Sequence, residues 1–264
     1  MNSVVCVKQV PDTESVIKIK PDGSDIITDG LKYVMNPYDE FGVEEALKLK
    51  EKFGGSVTIL CMGPSRAVET IRTGLAMGAD KAVQLDDPAF EGGDSFATAK
   101  VLAEALKGLE YDVIFCGKQA VDDDLSQVGQ ILAELLGIPQ VSLIQKLQVA
   151  DDKKSAVVDR QVEGGVEILN VPLPAVLTTQ KGLNEPRYAS LPGIMKAKKK
   201  PLDVKDLGAL GLNADSVGCN GSKTMILKYT PPPERAAGKI IEGEGPQETA
   251  PKLVQLLREE AKVI

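Results

Sequence analysis

The chain has no histidine and no tryptophan, and only five phenylalanines and five tyrosines in 264 residues. Without imidazole there is no His general base, no Ser–His or Cys–His nucleophile pair and no His metal ligand. The four cysteines, Cys6, Cys61, Cys116 and Cys219, are scattered singly with no C-x-x-C, so neither a thiolate zinc site nor a redox dithiol is supported. Three of them fall in predicted strands, where a free cysteine behaves as a small hydrophobe. The scarcity of aromatics argues against a stacking platform for single-stranded nucleic acid. A formal charge of −7 argues against nucleic acid as the main partner. No apolar run has the length needed to span a bilayer, so no direct membrane insertion is expected. The start, MNSVVCVKQV, enters a strand with no charged leader and no cleavage site, which predicts a cytoplasmic protein. Neither G-x-x-x-x-G-K-[ST] nor G-x-G-x-x-G occurs, so there is no P-loop and no dinucleotide fingerprint. Gly78, at the end of a helical pattern, reads as a helix cap rather than part of a phosphate loop.

What is present is alternation. Strands are predicted at 4–10, 57–62, 82–85 and 112–116. Helix faces are marked by Val43, Ala46, Leu47 and Phe53; by Ala67, Val68, Ile71 and Leu75; and by Phe96, Ala99, Leu102 and Leu106 after an Asp94-Ser95 cap. Strands interleaved with helices of this length predict an α/β fold with a parallel sheet. Ligands in such sheets bind beyond the carboxyl ends of the strands. From about 141 the pattern changes to short runs at 147–149, 156–159, 166–169 and 175–178, which predict an antiparallel meander extending or covering one sheet edge. The expected division is an α/β domain over 1–204 and a C-terminal arm over 205–264, poor in core residues and packed on another protein.

The stretch 117–129, GKQAVDDDLSQVG, carries the most chemistry. It follows the apolar run DVIFC and leads into Leu125, Val128, Ile131, Leu132, Leu135 and Leu136 at helical spacing. A loop between strand and helix directs free N–H groups and the positive end of the helix dipole at one spot, which makes an anion pocket. Asp122, Asp123 and Asp124 stand where carboxylates could hold ribose hydroxyls or cap the helix. Asn36-Pro37-Tyr38-Asp39 reads as ordinary helix-start chemistry unless something places it in a pocket. In 183–201 the five cations Arg187, Lys196, Lys198, Lys199 and Lys200 stand without an acid between the first and the last, beside Tyr188, Leu191, Ile194 and Met195. Charge around an apolar anchor suits a transient docking loop; a solvated face is the alternative.

Five segments, VVCVKQVPD, TDGLKYVMNPYDEFGVEEALKLKE, ETIRTGLAMGADKA, GKQAVDDDLSQVGQ and LNEPRYASLPGIMKAKKK, together resemble the β subunit of electron transfer flavoprotein over about 200 residues in order. The resemblance implies an adenine nucleotide α-hydrolase-like domain and no catalytic residues. It implies a heterodimer with an α subunit that carries the FAD, and a structural AMP in the β subunit. It also implies flavin dehydrogenases, such as acyl-CoA dehydrogenases of fatty acid β-oxidation, as donors and a membrane quinone oxidoreductase as acceptor. Carried over residue by residue, the AMP site would use Cys6, Asn36, Pro37, Tyr38, Asp39, Met62, Gly117, Lys118, Gln119, Ala120, Val121, Asp122, Asp123, Asp124, Leu125, Ser126, Gln127 and Val128. The N–H groups of Ser126, Gln127 and Val128 would hold the phosphate. Tyr38 matches an aromatic position that approaches the α-subunit FAD, and Leu191 matches the leucine that anchors the partner dehydrogenase. The alternative is the bifurcating branch, with a second FAD in place of AMP. That branch has a glycine between the two acids and threonine-alanine after them, where this chain has Asp123, Leu125 and Ser126; an added carboxylate and a branched leucine should repel and crowd a diphosphate.

Overall fold

The computed structural model describes residues 1–233 and 237–264. Its main sheet is built from nine strands: β1 (Ser3–Val7), β2 (Val57–Met62), β3 (Lys81–Leu85), β4 (Val113–Gly117), β5 (Gln140–Val149), β6 (Ser155–Val162), β7 (Gly165–Pro172), β8 (Ala175–Thr179) and β9 (Leu202–Lys205). The order is β7-β6-β5-β8-β4-β1-β2-β3-β9. All neighbours are parallel except β5–β6 and β6–β7.

The interior strands β1, β4 and β8 are apolar and buried nearly throughout, as a strand covered on both faces requires. Their alternation divides the core. Val5, Ile59, Phe115 and Leu177 face helices α1 (Pro37–Phe53) and α2 (Val68–Met77), while Val4, Cys6, Leu60 and Cys116 face α3 (Ser95–Lys107) and α4 (Val128–Leu136). Gly78 caps α2 as expected.

Two expectations change. The strand expected at 4–10 ends at Val7, and Gln9–Pro11 pairs antiparallel with Tyr33–Met35 instead. The break falls at Lys8, whose N–H leaves the ladder to donate to the Asp39 carboxylate at 2.7 Å. The meander is three strands rather than four: β5, β6 and β7 extend one edge, but β8 lies parallel between β4 and β5. Its Ala175, Val176 and Leu177 are fully apolar, and only an interior position covers both of its faces.

The described residues form two compact units, 1–18 with 26–227, and 19–25 with 228–264. The arm expected over 205–264, which includes 234–236 outside the described residues, is divided between them. In the second unit, α6 (Pro246–Glu259) has no buried residue. Among the described residues no helix is long and apolar enough to cross a membrane.

Candidate functional site

Parallel register brings the ends of β1, β2 and β4 to one rim, with Cys6 opposite Cys116 and Leu60. Helix α1 starts at the same rim, and its first turn joins the pieces. Asn36 is buried but does not cap its own helix. Its Nδ2 donates to the Gln119 carbonyl and to Asp39 Oδ1, both at 2.9 Å, and its Oδ1 accepts the Val121 N–H at 3.2 Å. Asp39 accepts the Lys8 N–H on one oxygen and the Gly117 N–H, at 3.0 Å, on the other. The helix-start residues are therefore the clamp that fastens 117–121 to the end of β1. Burial pushes the Asp39 carboxyl up to about 7, against the pull of its three N–H donors and of Lys8.

Beyond the clamp, Asp124 and Ser126 take left-handed backbone angles (φ 51° and 54°). This breaks the helix pattern expected from Leu125, so α4 begins at Val128 and Leu125 stands half-exposed in the loop. The acids do not cap α4. Lys8 Nζ bridges Asp122 Oδ1 at 2.8 Å and Asp123 Oδ2 at 2.9 Å, and Gln119 Nε2 donates to Asp124. The two carboxylates hold the Lys8 pKa above its ordinary value although burial opposes this. The backbone N–H groups of Ser126, Gln127 and Val128 have no partner among the described residues.

Together these elements enclose a cleft of about 200 Å³. Of the residues expected at the nucleotide, Cys6, Asn36, Asp39, Met62, Gly117, Lys118, Gln119, Ala120, Asp123, Leu125, Ser126, Gln127 and Val128 line it. Pro37, Tyr38, Val121, Asp122 and Asp124 do not. The Tyr38 ring instead lies 4.9 Å from Lys118 Nζ, and its carbonyl accepts from the Thr179 hydroxyl. The cleft also takes in Val7, Lys8 and Cys116 at the strand ends, and Gly93, Asp94, Ser95, Thr98 and Leu102 of α3 and the turn before it; these last five were not expected at the nucleotide. The signal was available: in a βαβ repeat every helix starts at the rim where the strands end, and the Asp94 cap marked such a start. Burial raises Cys61 to about 12, and the neighbouring Cys116 thiol together with burial raises Cys6, so both thiols are neutral hydrophobes. Among the described residues no group of acids and cysteines could hold a metal.

On another face the segment expected as a docking loop contains a short helix, α5 (Leu191–Ala197), capped by Ser190 Oγ on the Gly193 N–H. Tyr188, Leu191 and Met195 are 99%, 79% and 74% exposed, and Ile194 is exposed as well. Its stem is pinned to α1: Arg187 forks onto the buried Glu44 at 2.8 and 2.9 Å and reaches Glu51, while Asn184 donates to Glu45. Lys200 is a structural cation, donating to the Leu75 and Ala79 carbonyls at the end of α2. Only Lys196, Lys198 and Lys199 of the five cations have no partner for their charge among the described residues.

The family model of the electron transfer flavoprotein domain matches residues 24–210. The electron transfer flavoprotein subunit beta of Bacillus subtilis is 44% identical over all of both chains. The mouse protein of the same name is 41% identical over 100% of this chain and 99% of its own. Subunit CarD of the caffeyl-CoA reductase–Etf complex of Acetobacterium woodii is 40% identical over 98% of each. The chain belongs to the electron transfer flavoprotein family.

Proposed function

We propose that this chain is the β subunit of a heterodimeric electron transfer flavoprotein in which the cleft holds AMP as a structural nucleotide. The observation that carries the proposal is the trio of unpartnered N–H groups at Ser126, Gln127 and Val128, beside a loop whose acids are already engaged within the protein. Unsatisfied donors at a helix start are an anion site, and pairing with Lys8 and Gln119 lowers the repulsion the acids would otherwise exert. Lys118 adds positive charge at the same rim. The FAD, carried mainly by the α subunit, supplies the electron chemistry; this chain contributes no catalytic residue. Its own residues bind the nucleotide, support the flavin subunit through the face that bears Tyr38, and present Leu191 with Tyr188, Ile194, Met195, Lys196, Lys198 and Lys199 to flavin dehydrogenases. Lys200 supports that surface from beneath. Electrons then pass towards a quinone oxidoreductase.

A second reading is a bifurcating subunit with FAD in the β cleft. It draws on the Acetobacterium relative, whose name places it in a reductase complex and whose identity is close to that of the Bacillus protein. AMP is favoured because the branched side chain of Leu125 borders the cleft and takes room that a second phosphate would need. Denaturing the purified heterodimer and identifying the released nucleotides by mass tests the assignment. One FAD and one AMP per heterodimer are expected; two flavins would replace it with the bifurcating reading.

A further inference from the structure

The cleft has a second end that the phosphate does not need. Ser95, Thr98 and Leu102 recur at i, i+3 and i+7 along α3, so they share one face, and all three line the cleft. Ser95 is 6% exposed, yet its hydroxyl has no hydrogen-bond partner among the described residues. Its oxygen is not sealed from solvent, and in a residue so enclosed the opening is the cleft. The Thr98 hydroxyl is likewise unpartnered. Hydroxyls left without partners in an enclosed wall lose hydrogen bonds that a ligand would restore.

The surroundings identify the ligand group. Leu102, Met62, Cys6 and Cys116 make this end largely apolar. The adjoining Asp94 carboxylate, held by the N–H groups of Ala97, Lys223 and Thr224, makes it unsuited to a phosphate. A flat, mostly apolar group with a polar edge fits both conditions. We propose that Ser95 and Thr98 bind the polar edge of the nucleobase, so that the nucleotide spans the cleft with its base at α3 and its phosphate at α4. This assignment rests on the nucleotide reading above and adds the residues that select for a base.

The test uses the intact heterodimer, freed of nucleotide by mild denaturant and refolded, and titrated with AMP and separately with ribose 5-phosphate. Ser95→Ala and Thr98→Val should each weaken AMP about fivefold, the scale of one lost hydrogen bond, and leave ribose 5-phosphate unchanged. Thr98→Ser, which keeps the hydroxyl, should restore AMP binding. Unchanged AMP affinity in both variants, or equal weakening of the two ligands, would overturn the base assignment while leaving the nucleotide reading in place. A wild-type heterodimer that binds neither ligand would remove the nucleotide reading, and this inference with it.

Discussion

Gly117 and Asp39 are in contact that only a glycine permits. The Gly117 N–H donates to Asp39 Oδ1 at 3.0 Å, and a Cβ at 117 would lie 2.2 Å from that same oxygen. The side chain that holds the loop thus also excludes any larger residue from its start. Gly117→Ala should cost about 1–3 kcal/mol through overpacking and release the loop from the clamp. Urea unfolding of the heterodimer and its retained nucleotide give the answer; wild-type stability with full nucleotide would show that the contact yields without consequence.

Asp39 also sets a pH dependence. Its folded-state carboxyl titrates at about 7, far above its ordinary 3.8, so between these values the native state binds the proton that the unfolded chain has released. The contribution of Asp39 to stability is therefore complete below about pH 4 and is lost as the pH rises through 7. Asp39→Asn should remove that slope from the unfolding free energy between pH 4 and 7. It should also lower stability by about 1–3 kcal/mol at the acid end, because an amide nitrogen cannot accept the Lys8 N–H. Parallel slopes for variant and wild type would show that Asp39 does not titrate there.

Lys8→Met separates stability from binding. The Lys8 side chain is 42% exposed, so its pairs with Asp122 and Asp123 are screened and contribute under about 1 kcal/mol. Unpairing two carboxylates beside the expected phosphate should instead weaken AMP, and the deficit should shrink as salt screens the repulsion. Titrations at low and high ionic strength measure both effects; an affinity loss insensitive to salt would mean that Lys8 acts by shaping the loop and not by neutralising it.

In the docking segment, Leu191→Ala should slow electron transfer from a partner dehydrogenase while the heterodimer and its nucleotide stay intact, as stopped-flow flavin absorbance would report. Neutralising Lys198 and Lys199 should flatten the salt dependence of that rate. Lys200→Met should act differently. It strips two carbonyls at the end of α2 of their donor and should appear as a loss of thermal stability. Equal kinetic effects at Lys199 and Lys200, with no stability change at Lys200, would contradict this division.

The interior of the parallel sheet was legible because its signals are local. Runs such as VTILC at 57–61 can be satisfied only by cover on both faces, and Asp94 and Gly78 mark helix ends by chemistry that acts within one turn. The loop 117–129 was recognisable as the connection from a buried strand to a helix for the same reason. Reading Asp122, Asp123 and Asp124 as caps of α4 went astray because their partners, Lys8 and Gln119, reach them through tertiary geometry, Lys8 across 114 residues of sequence. Leu125 fits a helical period that two left-handed residues interrupt, and apolar spacing does not report backbone sign.

The sequence by itself determined the alternation of strand and helix, the absence of imidazole, the helix ends at Gly78 and Asp94 and the family, since each depends on residue identity or near-neighbour spacing. Only the tertiary structure decided that Asn36 and Asp39 clamp the cleft, that Lys8 is committed to the acidic loop, that Lys200 is a helix cap, and that the face of α3 bearing Ser95 and Thr98 closes the far end of the pocket. Those roles are set by which partner satisfies a buried or charged group, and the partner is brought there by the sheet, from tens to more than a hundred residues away.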